Sequence, residues 1–174
     1  MRARFTTFLL LLTLGLFCSL DASAQVGLKR LFSHNNEKGT MYFIGQKKLT
    51  KLENIKKFEF DITYLDYTDS ATVNFTVISP NPTDVSELKM GNSSIAVTAT
   101  DVELLYHEVK GKNYVVRTTS KVPFQTLKEI VKSESPMVFD IVHTDGQKGK
   151  ATYSASQWKK ERDLLGRILY LINK

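Results

Sequence analysis

Residues Lys56 to Ser79 read KKFEFDITYLDYTDSATVNFTVIS, and the alternation within them decides the fold class. Phe58, Phe60, Ile62 and Tyr64 are separated by Glu59, Asp61 and Thr63. Beyond the polar break Asp66-Tyr67-Thr68-Asp69-Ser70, Ala71, Val73, Phe75 and Val77 alternate with Thr72, Asn74 and Thr76. A period of two marks strands with one buried face. Closing the turn by pairing Tyr64 with Ala71 puts Ile62 opposite Val73, Phe60 opposite Phe75 and Phe58 opposite Val77. One register therefore satisfies the turn and gathers the large apolar side chains on a single side. The rest of the chain has to cover that face.

Pro80-Asn81-Pro82 ends the hairpin, because proline donates nothing to a ladder. Three further hairpins follow from the same alternation. Leu88 and Met90 lead through Gly91-Asn92-Ser93-Ser94 to Ile95, Val97 and Ala99. Val102, Leu104 and Tyr106 turn at Lys110-Gly111-Lys112 into Tyr114, Val116 and Thr118. Met137, Phe139 and Ile141 turn around Asp145-Gly146 into Ala151 and Tyr153. After Pro123 the spacing becomes helical at Phe124, Leu127, Ile130 and Val131, which predicts a short helix near 124–133 with Thr126 to Glu129 as its capping box. Upstream, Met41 to Gly45 reads as a short strand, residues 26–32 as a helical turn and His34 to Gly39 as loop.

The chain closes with an amphipathic helix near 155–172. Ser154 to Gln157 form a capping box, and Trp158, Leu165, Ile168, Leu169 and Ile172 make one stripe. Gly166, unfavourable in a helix interior, is expected where helix and sheet approach most closely. The sum is an α+β fold of about nine antiparallel strands, curled into a partial barrel or sandwich, with the terminal helix packed on the sheet.

The first 24 residues carry Arg2 and Arg4, an apolar run from Phe8 to Leu20 and the small-x-small site Ala22-Ser23-Ala24, the pattern of a cleaved secretory signal. The run is shorter than the roughly 20 apolar residues that a spanning helix needs. A single mature domain of residues 25–174 is therefore expected, periplasmic or secreted, without a transmembrane segment. The alternative is a lipoprotein signal with Cys18 as lipid acceptor, although Phe17 stands where such signals carry a small residue. Removing the leader takes two arginines, one aspartate and the only cysteine from 24 basic and 18 acidic side chains, leaving 22 and 17, a charge of +5. A thiol-free domain has no disulfide, cysteine nucleophile or thiolate metal site, so its stability must come from a core. The modest positive charge permits an acidic partner or an anionic surface.

Residues with chemistry to offer are sparse. Gly146 to Thr152 (GQKGKAT) lacks the spacing of a phosphate loop and reads as a hairpin tip. His34, His107 and His143 have no close-spaced metal-ligand partners; His143 with Asp145 is the best carboxylate–histidine pair and is expected at a solvated turn. Asp61, Asp66 and Asp69 gather near one end of the central hairpin without the spacing of a calcium loop, and read as turn-forming aspartates. Asp69-Ser70-Ala71 fits a bacterial O-glycosylation acceptor at Ser70, while Asn74-Phe75-Thr76 and Asn92-Ser93-Ser94 are sequons that matter only in a eukaryotic host. Trp158 is expected in the core and Tyr170 at the surface, able to stack on a ligand. Lys110 with Lys112, and Lys148 with Lys150, place paired lysines at two hairpin tips, which form a basic rim if both tips lie at one end of the fold.

These features point to a non-catalytic binding or assembly module of the envelope whose partner is another envelope protein or an anionic ligand. Lys110, Lys112, Lys148, Lys150 and Tyr170 are the candidate binding residues; no cofactor, metal or nucleic-acid partner is expected. The alternatives are a small periplasmic hydrolase using His143 or the aspartates, and a peripheral binder of anionic membrane surface through the lysine tips. Mass spectrometry of the protein from its native host should find an N-terminus at Gln25. An acylated Cys18 would overturn the expectation of a soluble, unanchored mature protein.

Overall fold

The computed structural model describes residues 29–80 and 82–173; the expected signal segment, Cys18 and the start of the helical turn expected at 26–32 lie outside them. Nine strands come first: β1 (Leu31–Asn36), β2 (Gly39–Leu49), β3 (Lys51–Glu53), β4 (Lys57–Leu65), β5 (Ser70–Ser79), β6 (Val85–Gly91), β7 (Ala96–Thr98), β8 (Thr100–Lys110) and β9 (Asn113–Pro123). Helix α1 (Phe124–Lys132), strands β10 (Val138–His143) and β11 (Lys148–Thr152), and helix α2 (Ala155–Ile172) follow. They make two open antiparallel sheets, six strands in the order β1-β2-β4-β5-β9-β8 and five in the order β3-β11-β10-β6-β7. The fold is α+β, with open sheets where the sequence left a partial barrel as an option.

β4 and β5 pair in the register read from their alternation: Tyr64 with Ala71, Ile62 with Val73, Phe60 with Phe75 and Phe58 with Val77. Of these, all but half-buried Tyr64 are at most 2% exposed. Their cover comes from the second sheet. The Phe139 ring of β10 lies 4.8 Å from the rings of both Phe58 and Phe60, within the range of favourable tilted aromatic pairs. At the turn end, Tyr64 stacks on Phe124 at 3.6 Å and so fixes the start of α1 against the hairpin.

The terminal helix forms as its pattern predicts. The Ser154 hydroxyl accepts from the Gln157 N–H while the Gln157 side chain accepts from the Ser154 N–H, a complete capping box. Trp158, Leu165, Ile168, Leu169 and Ile172 are buried, and the Trp158 indole donates to the Ser133 carbonyl at 3.1 Å.

Three local expectations are corrected. Leu31 and Phe32 start a strand instead of a helical turn, and residues 34–36 continue it, so the expected loop shrinks to the turn at Glu37-Lys38. Asn36 makes that turn by accepting from the N–H groups of Lys38 and Gly39 at 2.8 and 3.1 Å, and Gly39 takes a φ of 148° that only glycine adopts easily. α1 begins directly after Pro123 with no side-chain cap; Thr126 already lies inside the first turn, so Thr126 to Glu129 has no helix start to cap. Gly166 lies on the solvent side of α2, with nothing within 4 Å of the position its Cβ would take. The helix meets the core one position away, at Leu165.

Two substitutions separate these readings by thermal and urea unfolding. Phe60→Ala should cost about 3–5 kcal/mol, the usual loss for a buried aromatic, and melting no lower than a surface-lysine variant would remove the hairpin from its central role. Gly166→Ala should stabilise by up to about 1 kcal/mol, since the site is open and helical.

Candidate functional site

β8 is the outer edge of the six-stranded sheet. All of its eleven residues are exposed except half-buried Val102. It carries a run of large apolar side chains into solvent: Leu104 is 44% exposed, Leu105 51%, Tyr106 46% and Val109 68%. β9 holds it on one side only, pairing Lys110 with Asn113, Val109 with Tyr114, His107 with Val116, Tyr106 with Arg117 and Leu104 with Thr118. Between Leu104 and Tyr106 the ladder slips, so that Leu105 is the extra residue of a β-bulge.

Leu104 stands opposite Thr118, which is 1% exposed. The side of β8 that bears Leu104 therefore continues the core face of the sheet past its cover. The other sheet edges offer less. β3 and β7 have three residues each, and β1, which carries exposed Phe32, has six, most of them polar. A long edge strand with exposed apolar side chains is a ready template for another strand.

The structure sorts the four candidate lysines into two settings. Lys110 and Lys112 flank Gly111 at the exposed β8–β9 turn, and Lys56 joins them by donating to the Asn113 side chain at 2.6 Å. The β10–β11 tip is brought to the same end, because Asn54, two residues before Lys56, donates to the Lys148 carbonyl at 3.1 Å. Ile55 between them packs over Gly149 so closely that a Cβ there would lie 2.7 Å from its methyl group. The Lys148 and Lys150 side chains, however, sit on the outer face of the five-stranded sheet. Lys150 is paired across strands with both Asp140 and Glu53, its Nζ 3.9 Å from the Asp140 carboxylate, and Asp140 is paired in turn with Lys89. That face is a row of alternating charges.

The remaining candidates are also dispersed. His143 ends β10 and is 4% exposed, its Nδ1 3.3 Å from the Thr83 carbonyl, in place of the solvated turn expected for it. Asp145 accepts instead from the Gln147 N–H at 3.0 Å. Asp61 lies mid-strand, bonded to Arg117 at 2.7 Å and Asn74 at 2.8 Å, while Asp66 and Asp69 occupy the turn. Among the described residues no group of three or more histidine, cysteine or acidic side chains is arranged to hold a metal. Ser70 is the half-buried first residue of β5. Tyr170, 64% exposed, borders an open cleft of about 510 Å³ between α1 and α2, with Lys128, Lys132 and Arg162 at its rim and Leu169 on its floor.

One polar cluster escaped the sequence reading. Glu161 is 3% exposed and binds both Arg30 and Lys47, the latter at 2.6 Å. The Arg30 guanidinium also donates twice to the Gly45 carbonyl. Lys47 lies 5.9 Å over the ring of Tyr153, whose buried hydroxyl has no hydrogen-bond partner; burial first, and the Glu161 charge second, push its phenol far above the ordinary range, so it stays neutral. The signal was available: Glu161 is three residues after Trp158 and four before Leu165, on the apolar stripe itself. Its role is to clamp the β1–β2 hairpin to α2.

Comparison of the chain with family models, curated proteins and solved structures finds no match. Among the described residues no helix is long and apolar enough to cross a membrane.

Glu161→Gln tests the clamp by thermal unfolding. Because Arg30 and Lys47 keep some contact with water, the expected loss is about 2–3 kcal/mol, below the 3–5 kcal/mol typical when a fully buried pair is broken. An unchanged melting temperature would reduce the cluster to ornament.

Proposed function

We propose that the chain is an exported, non-catalytic assembly module that binds by strand addition at β8. The observation that carries this reading is the eleven-residue edge strand whose exposed Leu104, Leu105, Tyr106 and Val109 lie beside unpaired backbone groups. An added strand would gain main-chain hydrogen bonds along the edge and burial from the alternate side chains, the two sources of affinity in β-augmentation. Export is supported by the leader-like first 24 residues. The hydrolase reading has weaker support, since His143 and Asp145 bond to separate backbone groups and the aspartates are split between mid-strand and turn.

The test is site-specific photocrosslinking in the envelope fraction. A photoreactive residue at Tyr106 should give adducts that disappear when Leu104 and Val109 are both changed to lysine, while the same residue at Lys132 on α1 gives none. Adducts from position 132 and none from 106 would defeat the strand-addition reading.

A second reading, attachment to an anionic surface, is favoured by the placement of Lys56, Lys110 and Lys112 at one end of the molecule. It predicts vesicle binding that weakens as the Debye length contracts from about 10 Å at 0.1 M salt to about 3 Å at 1 M. Replacing Lys110, Lys112, Lys148 and Lys150 by glutamine should weaken binding by up to about 1 kcal/mol per charge. Asp140 and Glu53, flanking Lys150 on the outer face of the five-stranded sheet, make Lys150 the smaller contributor. Binding indifferent to salt would end this reading.

A further inference from the structure

We propose that the strand β8 receives is β8 of a second copy of this chain, paired antiparallel about a two-fold axis at His107, so that the two six-stranded sheets become one. This rests on the strand-addition reading and names its occupant. The argument is one of register. In an antiparallel ladder successive residues turn their N–H and C=O groups to opposite sides, and two residues that face each other must have the same orientation. A strand meeting its own copy can therefore place the axis only at a residue, and the bulge at Leu104 and Leu105 counts as a single step.

Between the bulge, where regular pairing is interrupted, and Val109, the axis has three regular positions, Tyr106, His107 and Glu108. With the axis at Tyr106, Glu103 faces Glu108 of the second copy, twice by symmetry. With the axis at Glu108, the two Glu108 side chains face each other and the leucines face Gly111. With the axis at His107, both faults disappear. Glu103 then faces Lys110 of the second copy, the bulged Leu104 and Leu105 face its Val109, and Tyr106 faces its Glu108. Each of these pairs occurs twice.

The faces agree as well. Leu104 and Val109 lie opposite Thr118 and Tyr114, on the side of the sheet where Thr118 and Val116 are buried, whereas Glu103, Tyr106 and Lys110 lie opposite Thr119, Arg117 and Asn113 on the other side. The pairing thus joins the leucines to Val109 on the core side, where His107 meets His107 of the second copy, and Glu103 to Lys110 on the outer side, where Tyr106 lies beside Glu108. Val109, the most exposed large apolar side chain of β8 at 68%, gains a neighbour from the symmetry alone. His107 stays on the core-side face beside Asp84, 3.4 Å from its carboxylate, and Asp84 belongs to the segment leading into β6 and not to the free edge.

The experiment is sedimentation equilibrium of the mature protein, from micromolar to millimolar concentration, with charge reversal and rescue. Wild type should dimerise with a concentration-dependent mass. Glu103→Lys and Lys110→Glu each turn two attractive cross-strand pairs into two repulsive ones, so each alone should weaken the dimer about tenfold. The double variant Glu103→Lys/Lys110→Glu restores opposite charges in the same register and should return the dissociation constant to the wild-type range. Both positions are exposed, and circular-dichroism melts verify that all three variants are folded. A wild type that stays monomeric at millimolar concentration overturns the proposal, as does a dimer that responds to neither single reversal or is not rescued by the double one. Monomeric wild type together with Tyr106 adducts to a different protein would overturn self-pairing and leave strand addition standing; monomeric wild type without such adducts would remove both.

Discussion

The Phe139 ring, resting on Phe58 and Phe60, is the contact on which the architecture depends. The β4–β5 hairpin presents one continuous apolar face, and without a cover that face would leave several large side chains in water, at about 1.5–3 kcal/mol each. The five-stranded sheet supplies the cover through β10, and its own inner face is closed in the same step. Without a disulfide in the described domain, this shared core and the helix packed on it carry the stability. The price of a small second sheet is paid at the flanks: two of its five strands have three residues, and β8 keeps Leu104 and Val109 in solvent although they point to the core side of their sheet. The exposed edge is thus a geometric consequence of which strands the core could reach.

How much was legible in the sequence follows from where periodicity and burial coincide. β4 and β5 alternate without interruption because one face is buried as far as half-buried Tyr64 while the other carries mostly polar, half-buried residues, and their register could be read residue by residue. The Ser154 capping box was legible because the hydrogen bonds that start α2 are local in sequence. β1 was not, because LFSHNN has no alternating face: it is an exposed strand held by its pairing with β2, a contact that no local pattern encodes. Gly166 misled for a different reason. A glycine in a helix interior suggests close packing, but its position falls outside the Leu165–Ile168–Leu169 stripe, and the structure assigns it no contact.

The candidate site was half legible. The third hairpin and its lysine tip form as the alternation predicts, but the bulge at Leu105 turns Tyr106 to the face opposite Leu104, where the alternation had put both on one side. The exposure of β8 was invisible, since Leu104, Tyr106 and the residues after them resemble any half-buried strand. Only the order of strands in the sheet makes β8 an edge. In the same way, nothing in the spacing of Lys148 and Lys150 reveals that Glu53 and Asp140 come from other strands to flank Lys150. Charges at one tip can be counted from sequence, but their neutralisation across a sheet is a tertiary fact.

The Glu161 clamp bears on the order in which the molecule can be assembled. Arg30 and Glu161 are 131 residues apart, so the first strand of the domain is secured by a side chain on its last helix. During synthesis, the β1–β2 hairpin waits with Arg30 and Lys47 lacking their Glu161 partner until α2 has emerged. Such distant closure makes folding slow compared with a chain of local contacts, and it makes the completed chain, not any N-terminal portion of it, the cooperative unit.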